Sequence, residues 1–532
     1  MSQASDLVGH SIRIQSGSMD QPITYHDTRG LDRHRPAFTD ILIRGIASGG
    51  GLFVPEEMPR LSLDGLLALG EMPYCRRASH LFKKFRVDLP GDLIEDLMEG
   101  AYGSQWDDDR IAPVVEAAPG MHVLELWHGP TSAFKDMALQ CMPRFFSQAI
   151  QVRQERGELE DNFLILVATS GDTGKAALEG FADREHTGII VFYPAGGVSA
   201  IQRKQMVTQR GSNVGVFGVR GNFDDCQSAV KEAFNDGEFN RWLHDRKKLR
   251  LSSANSINWG RLLPQIVYYA SAYVDLAAQG ALKAGELIDV CVPTGNFGNI
   301  LAAFYAREIG VPIDRLLCAS NENDVLADFL TTGIYDISGR RFVNTPSPSM
   351  DILISSNLER LLHRLSGPAA VRAWMADLAR TKRFQVDPAT FQALSGILSG
   401  GAVTNDESLS TIRRVWQEAR YLLDPHTAVA WCLAERMRGE RPMLVVSTAH
   451  WAKFGADVLK ALRGIPYAGA LSADPVHSTG TGLLAKVLEI AQGCSPVPRG
   501  LTGLDEQPER FLHVVDAGRD GVESAVRGWL GS

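Results

Sequence analysis

Three stretches of this chain share one grammar, and that grammar constrains the fold more than any other feature. They are "FLILVATSGDTGKAALEGF" (163–181), "DVCVPTGNFGNILAAFYAREIG" (289–310) and "PMLVVSTAHWAKFGADVLKAL" (442–462). Each opens on a continuous apolar run, turns through Gly, Ser, Thr or Asn, and runs into a helical pattern. A strand that is apolar on both faces must be covered on both faces. That is the condition of a parallel sheet flanked by helices. "GIIVFYPAGG" (188–197) and "NVGVFGVRGN" (213–222) read as further strands of this kind. The expected fold is α/β with mainly parallel sheets. In such sheets ligands bind beyond the carboxyl ends of the strands, so the three strand-to-helix loops should converge.

The loops themselves carry chemistry. Backbone N–H groups at a helix N-terminus are unpaired and partly positive, which suits an anion. Gly174-Lys175 matches the end of a nucleotide-binding P-loop, G-x-x-x-x-G-K-[ST]. Thr169 stands where the first glycine belongs, however, and Ala176 replaces the Mg²⁺-binding hydroxyl, so that reading fails. "TGNFGN" (294–299) packs two glycines and two asparagines between a strand and a helix. It reads either as a compact phosphate cradle or as a tight turn with a cap. "SADPVHSTGTGLLA" (472–485) contains a formal G-x-G-x-x-A at Gly480, Gly482 and Ala485, but no strand precedes it, which argues against a dinucleotide site.

"WHGPTSAFKDMALQ" (127–140) is the other anomaly. Gly129-Pro130 forces a turn, Thr131 and Ser132 are able to cap, and Lys135 falls in the first turn of a helix, the wrong end for a cation. Its neighbours Phe134, Met137, Ala138 and Leu139 are apolar. Desolvation there would depress the lysine pKa and make its amine a nucleophile. Near a phosphate cradle, such a lysine points to a Schiff base with pyridoxal phosphate.

Composition narrows the alternatives. A net charge of −8 argues against nucleic-acid or anionic-membrane binding as the main role. The basic cluster Arg246-Lys247-Lys248 with Arg250 reads as a solvated helix end. The seven cysteines are scattered, with none in C-x-x-C spacing, so they read as reduced, mostly buried thiols. No apolar run approaches a membrane span, and the first twenty residues lack the pattern of a signal or transit peptide, so a cytoplasmic location is expected. Residues 1–103 read as a mostly helical N-terminal domain, 104–470 as the catalytic domain and 471–532 as a C-terminal segment.

The order of the motifs adds a resemblance. "DTRG…FTDILIRGIASGGGLFVPEEMP", "ELWHGPTSAFKDMALQ", "ATSGDTGKAALEGF", "SINWGRLLPQIVYY", "PTGNFGNILAAFYA", "LDPHTAVAW" and "STAHWAKF" follow one another over roughly residues 27 to 454. In that order they resemble the threonine synthase family, pyridoxal-phosphate enzymes of fold type II (the tryptophan synthase β-like fold). The longer N-terminal region favours its bacterial and fungal branch. The resemblance implies conversion of O-phospho-L-homoserine and water to L-threonine and phosphate by a monomer or homodimer. The alternative is a phospholyase with the same cofactor that releases an oxo acid and ammonia. It implies that Lys135 holds the cofactor, and that Gly295, Asn296, Phe297, Gly298 and Asn299 hold the cofactor phosphate. Ser170, Gly171, Asp172 and Thr173 would lie near the ring and the substrate carboxylate, and Thr448 at the pyridine nitrogen. Ser256, Asn258, Arg261 and Lys453 are the candidates for the substrate phosphate. One departure stands out. Where the family reads His-Pro-Ala-Lys-Phe, this chain has His450-Trp451-Ala452-Lys453-Phe454, and Trp451 is expected to add bulk near the site.

Overall fold

A computed structural model of the chain describes residues 21–469 and 481–531. The first-twenty-residue reading therefore lies outside the described residues, as does Gly480 of the formal dinucleotide motif.

Two sheets organise the molecule. The larger has six strands in the order Leu398–Ala402, Ile313–Ser320, Ile288–Pro293, Met443–Ser447, Met121–Glu125, Val114–Ala118. Its pairs are parallel except for the last, which is antiparallel. The second has five strands, all parallel, in the order Val514–Asp516, Val214–Arg220, Thr187–Pro194, Asn162–Ala168, Leu249–Ser252. The five apolar runs singled out in the sequence are all strands of these sheets. Ile288–Pro293 is buried at every position, as covering on both faces requires.

The helix Trp259–Ala278 is apolar nearly all round and almost wholly buried, the condition of a core helix. Asn258 caps it by accepting from the Gly260 N–H at 2.9 Å. Helices Phe38–Arg44, Tyr74–Lys84 and Gly91–Ala101 make the N-terminal region mostly helical, with one short two-stranded ribbon, Tyr25–Asp27 against Phe53–Pro55. Its apolar side chains run into the same core as the catalytic region: Tyr25 meets Trp259 edge-on, and Phe38 meets Phe145. The helix Gly237–Lys247 ends at the basic cluster, with Lys248 left-handed and exposed. No described helix is long and apolar enough to cross a membrane.

Candidate active site

The three loops converge, but from two sheets. Ala168 to Ser170 and Thr173 arrive from the five-stranded sheet, and Pro293 to Asn299 and Thr448 from the six-stranded one. All of them line one cavity together with Lys135, Ser256 and Arg261. Gly171, Asp172, Asn258 and Lys453 do not reach the cavity wall.

The cradle is built by backbone strain at one residue. Phe297 is left-handed, with φ of 64°, and precedes the helix Gly298–Ile309, which has no side-chain cap. Its first N–H groups are therefore left for an external acceptor. Gly295 is bare because a Cβ there would lie 2.9 Å from the Ser349 carbonyl oxygen and 3.0 Å from Met350 Cα. Asn299 accepts at Oδ1 from both Tyr268 and Tyr269 hydroxyls, at 2.6 Å each, while its Nδ2 is buried without a partner. A cradle with bare amides and an orphaned donor fits a phosphate group.

The other loop is filled from within. The Thr169 hydroxyl accepts from the Gly171 and Gly174 N–H groups at 3.0 and 2.8 Å. The residue that breaks the P-loop pattern thus satisfies two amides that a glycine there would have left open.

Lys135 opens the helix Lys135–Leu139, as the sequence implied, but Thr131 and Ser132 do not cap it. The Thr131 N–H and hydroxyl instead donate to the Asp136 carboxylate at 2.8 and 2.7 Å, which folds the turn back on the helix. The loop after Met443–Ser447 closes over that turn: the Phe134 N–H donates to the Thr448 carbonyl at 2.8 Å, and Ala133 bridges Ala449. The Lys135 amine donates to Ser349 Oγ at 3.2 Å and lies 4.8 Å from the Phe134 ring centroid. Burial pushes its pKa down to about 8, with the neighbouring Asp172 opposing. Arg261 is 3 % exposed, and burial brings its pKa down to about 10. It donates to the Ala254 carbonyl at 2.6 Å, its Nε is unpartnered, and it forms no ion pair among the described residues.

Several residues at the site went unassigned in the sequence. Ser349 comes from "TPSPSMDILISSN" (345–357), a loop without helical or strand period whose run of hydroxyls was the available signal. The Ser349 N–H donates to His426 Nε2 at 3.2 Å, so His426 Nδ1 carries the proton it gives to Asp424 at 2.8 Å. Asn255, one residue before Ser256, lines the cavity, whereas Asn258 is spent on its cap and on the Leu42 carbonyl at 2.8 Å. Trp451 does not crowd the cavity. Its ring is 1 % exposed, and its N–H donates to Ser495 on the C-terminal segment. The extra bulk is taken up by the second core cluster instead. His450 caps the turn after the strand, accepting from the Ala452 N–H.

A lysine amine and a phosphate cradle facing one cavity, on this two-sheet α/β fold, define a pyridoxal-phosphate-dependent enzyme. The family model "Pyridoxal-phosphate dependent enzyme" matches residues 116–402, between "Threonine synthase N terminus" at 24–102 and "Threonine synthase, C-terminal" at 427–526. The chain belongs to the threonine synthase family. Threonine synthase of Saccharomyces cerevisiae is 35% identical, over 83% of this chain and 89% of its own. Human threonine synthase-like 1 is 42% identical over 80% of this chain, and the chain spans 58% of that relative's length. The structure of a PLP-bound threonine synthase from Brucella melitensis superposes with a TM-score of 0.82 at 36% identity, covering 96% of this chain and 100% of that one. Yeast threonine synthase superposes equally well, at 0.82 and 32% identity, covering 95% and 98%.

Proposed function

We propose that this protein converts O-phospho-L-homoserine and water to L-threonine and phosphate, with pyridoxal phosphate held by Lys135. The observation that carries the reading is one cavity with two separate places for a phosphate. The uncapped cradle Gly295–Asn299 is one. Arg261, beside Asn255 and Ser256 and without a carboxylate partner among the described residues, is the other. A phosphorylated substrate next to a phosphorylated cofactor needs both. When bound, the cofactor supplies a conjugated ring that delocalises the electron pair left as a proton leaves the carbon beside the substrate amine.

The chain's own groups do the rest. The Lys135 amine takes and returns protons at the substrate carbons, for which a lowered pKa suits it. Arg261 holds the departing phosphate and offsets its charge. Ser170, Thr173 and Thr448 all line the cavity; by the resemblance, Ser170 and Thr173 would serve the substrate carboxylate and the Thr448 hydroxyl the ring nitrogen. A hydroxyl there accepts or donates and does not force that nitrogen to stay protonated. No described helix is long and apolar enough to cross a membrane; the protein is further proposed to be cytoplasmic and, on the family resemblance, a monomer or homodimer.

The test is product identity. Purified protein given O-phosphohomoserine is expected to form threonine and phosphate in equal amounts, with 2-oxobutyrate a minor product. Predominant oxo acid with ammonia would replace this reading by the phospholyase.

A further inference from the structure

Two lysines and one carboxylate meet behind the cavity, and their spacing is unequal. Asp172 Oδ1 receives the Lys453 amine at 2.8 Å and the Gln202 side-chain N–H at 2.9 Å. Asp172 Oδ2 receives the Ser349 hydroxyl at 3.3 Å and stands 3.9 Å from the Lys135 amine. The Lys453 side chain is fully buried, and its other hydrogen bond runs to the Thr131 carbonyl at 2.8 Å. It therefore has no free face for a substrate phosphate.

We propose that Lys453 is a positioning residue for Lys135: by closing on Asp172 it occupies that carboxylate and leaves the Lys135 amine free to shed its proton. This rests on the reading of Lys135 as the amine that engages the cofactor. The physical reason is charge balance in a desolvated place. Three charged groups there carry a net positive charge, and the proton most easily lost is on the lysine not closed on the carboxylate. Lys453 sits at contact distance and Lys135 does not. Without Lys453, the Asp172 carboxylate would be buried with Lys135 as its only cation, and would hold Lys135 protonated.

Among the other charges around Lys135, only Asp136 favours its ammonium, and more weakly than Asp172. Arg261, from the helix Trp259–Ala278, adds positive potential and disfavours the ammonium further. Asp136, on the same helix as Lys135, is bound by Thr131, and burial pushes it up to about 6. Asp351 is taken up by Thr345, Asn321 and Asn323, and His426 gives its Nδ1 proton to Asp424. For Asp172, burial pushes the carboxyl up, but Lys453 and then Lys135 outweigh it and hold it well below the usual carboxylate range.

The test reads Lys135 directly in the full-length apoprotein, by trace acetylation with acetic anhydride across pH and mass spectrometry of the Lys135 peptide. The wild-type midpoint is expected near the lowered value of about 8. Lys453→Met should raise it by at least about one pH unit, a roughly tenfold loss of free amine below the midpoint. Lys453→Arg, which keeps the charge, should restore it, as should the double change Asp172→Asn with Lys453→Met. If Lys453→Met does not fold, Asp172→Asn alone decides, because its midpoint should fall below that of the wild type. A midpoint unmoved in folded Lys453→Met, or in Asp172→Asn, overturns the proposal. So does a raised KM for O-phosphohomoserine with an unmoved midpoint, which would return Lys453 to phosphate binding. Failure of the wild type to use O-phosphohomoserine would remove the proposed reaction, while the acetylation midpoints would still report on Lys453.

Discussion

Asn255 and Asn258 stand three residues apart, and the fold gives them opposite work. Asn258 is buried, caps the helix Trp259–Ala278 and holds the Leu42 carbonyl. Asn255 faces the cavity beside Ser256. Asn258→Ala is expected to cost about 1–2 kcal/mol of stability through the lost cap and leave KM nearly unchanged. Asn255→Ala should do the reverse, raising KM for the phosphorylated substrate without moving the melting temperature. Thermal melts and steady-state kinetics on the two variants separate these roles. Both residues carry the same side chain in the same polar motif, so residue type alone had no power to tell them apart.

At the scale of elements, the site depends on how closely the helix Asp172–Phe181 approaches the helix Lys135–Leu139. Gly180 permits that approach: a Cβ there would lie 1.9 Å from the Leu139 carbonyl oxygen, and backbone of that kind does not swing aside. Gly180→Ala must therefore separate the element that carries Asp172 from the one that carries Lys135. Overpacking by one methyl costs about 1–3 kcal/mol. The expected result is a lower melting temperature together with a changed Lys135 acetylation midpoint. An exposed glycine such as Gly237, with nothing near its Cβ position and no left-handed backbone, should show neither effect when changed to Ala. The strand-loop-helix units were legible in the sequence because both-face burial leaves continuous apolar runs. Their close packing was not legible, since a glycine reads the same in a turn and in a helix contact.

Across the whole molecule, the C-terminal segment completes one of the two sheets that carry the site loops. The strand Val514–Asp516 extends the five-stranded sheet beside Val214–Arg220, and the helix Arg519–Trp529 packs on Phe223–Asn235. The Trp529 ring covers Gly188 and Gly215, two strand positions with no side chain of their own, and its N–H donates to the Val214 carbonyl at 3.2 Å. Trp529→Ala should expose that patch and cost about 2–3 kcal/mol, read as a lower denaturation midpoint with an unchanged m-value. The Lys135 midpoint should stay where it is, because Gly188 and Gly215 lie at the starts of their strands, whereas the cavity residues Ser170 and Thr173 follow the end of Asn162–Ala168.

The chain's own sequence determined five of the strands, their mainly parallel pairing, the glycine-bearing loop at Gly295–Asn299 and the anomalous Lys135, while the structure decided that this loop is an uncapped cradle. Each of these is a local pattern: an apolar period, a glycine-bearing turn after a strand, or a cation among apolar neighbours at the wrong end of a helix. Tertiary structure alone decided which polar residues those patterns leave for chemistry. Lys453 and Arg261 are both cations in motifs of similar character, yet Lys453 is closed on Asp172 and Arg261 is left without a carboxylate partner among the described residues. Ser349 and His426 reach the site from segments more than two hundred residues beyond Lys135. A charge in a sequence states its sign. Whether it is spent inside the protein depends on which distant carboxylate or carbonyl the fold brings within hydrogen-bond distance.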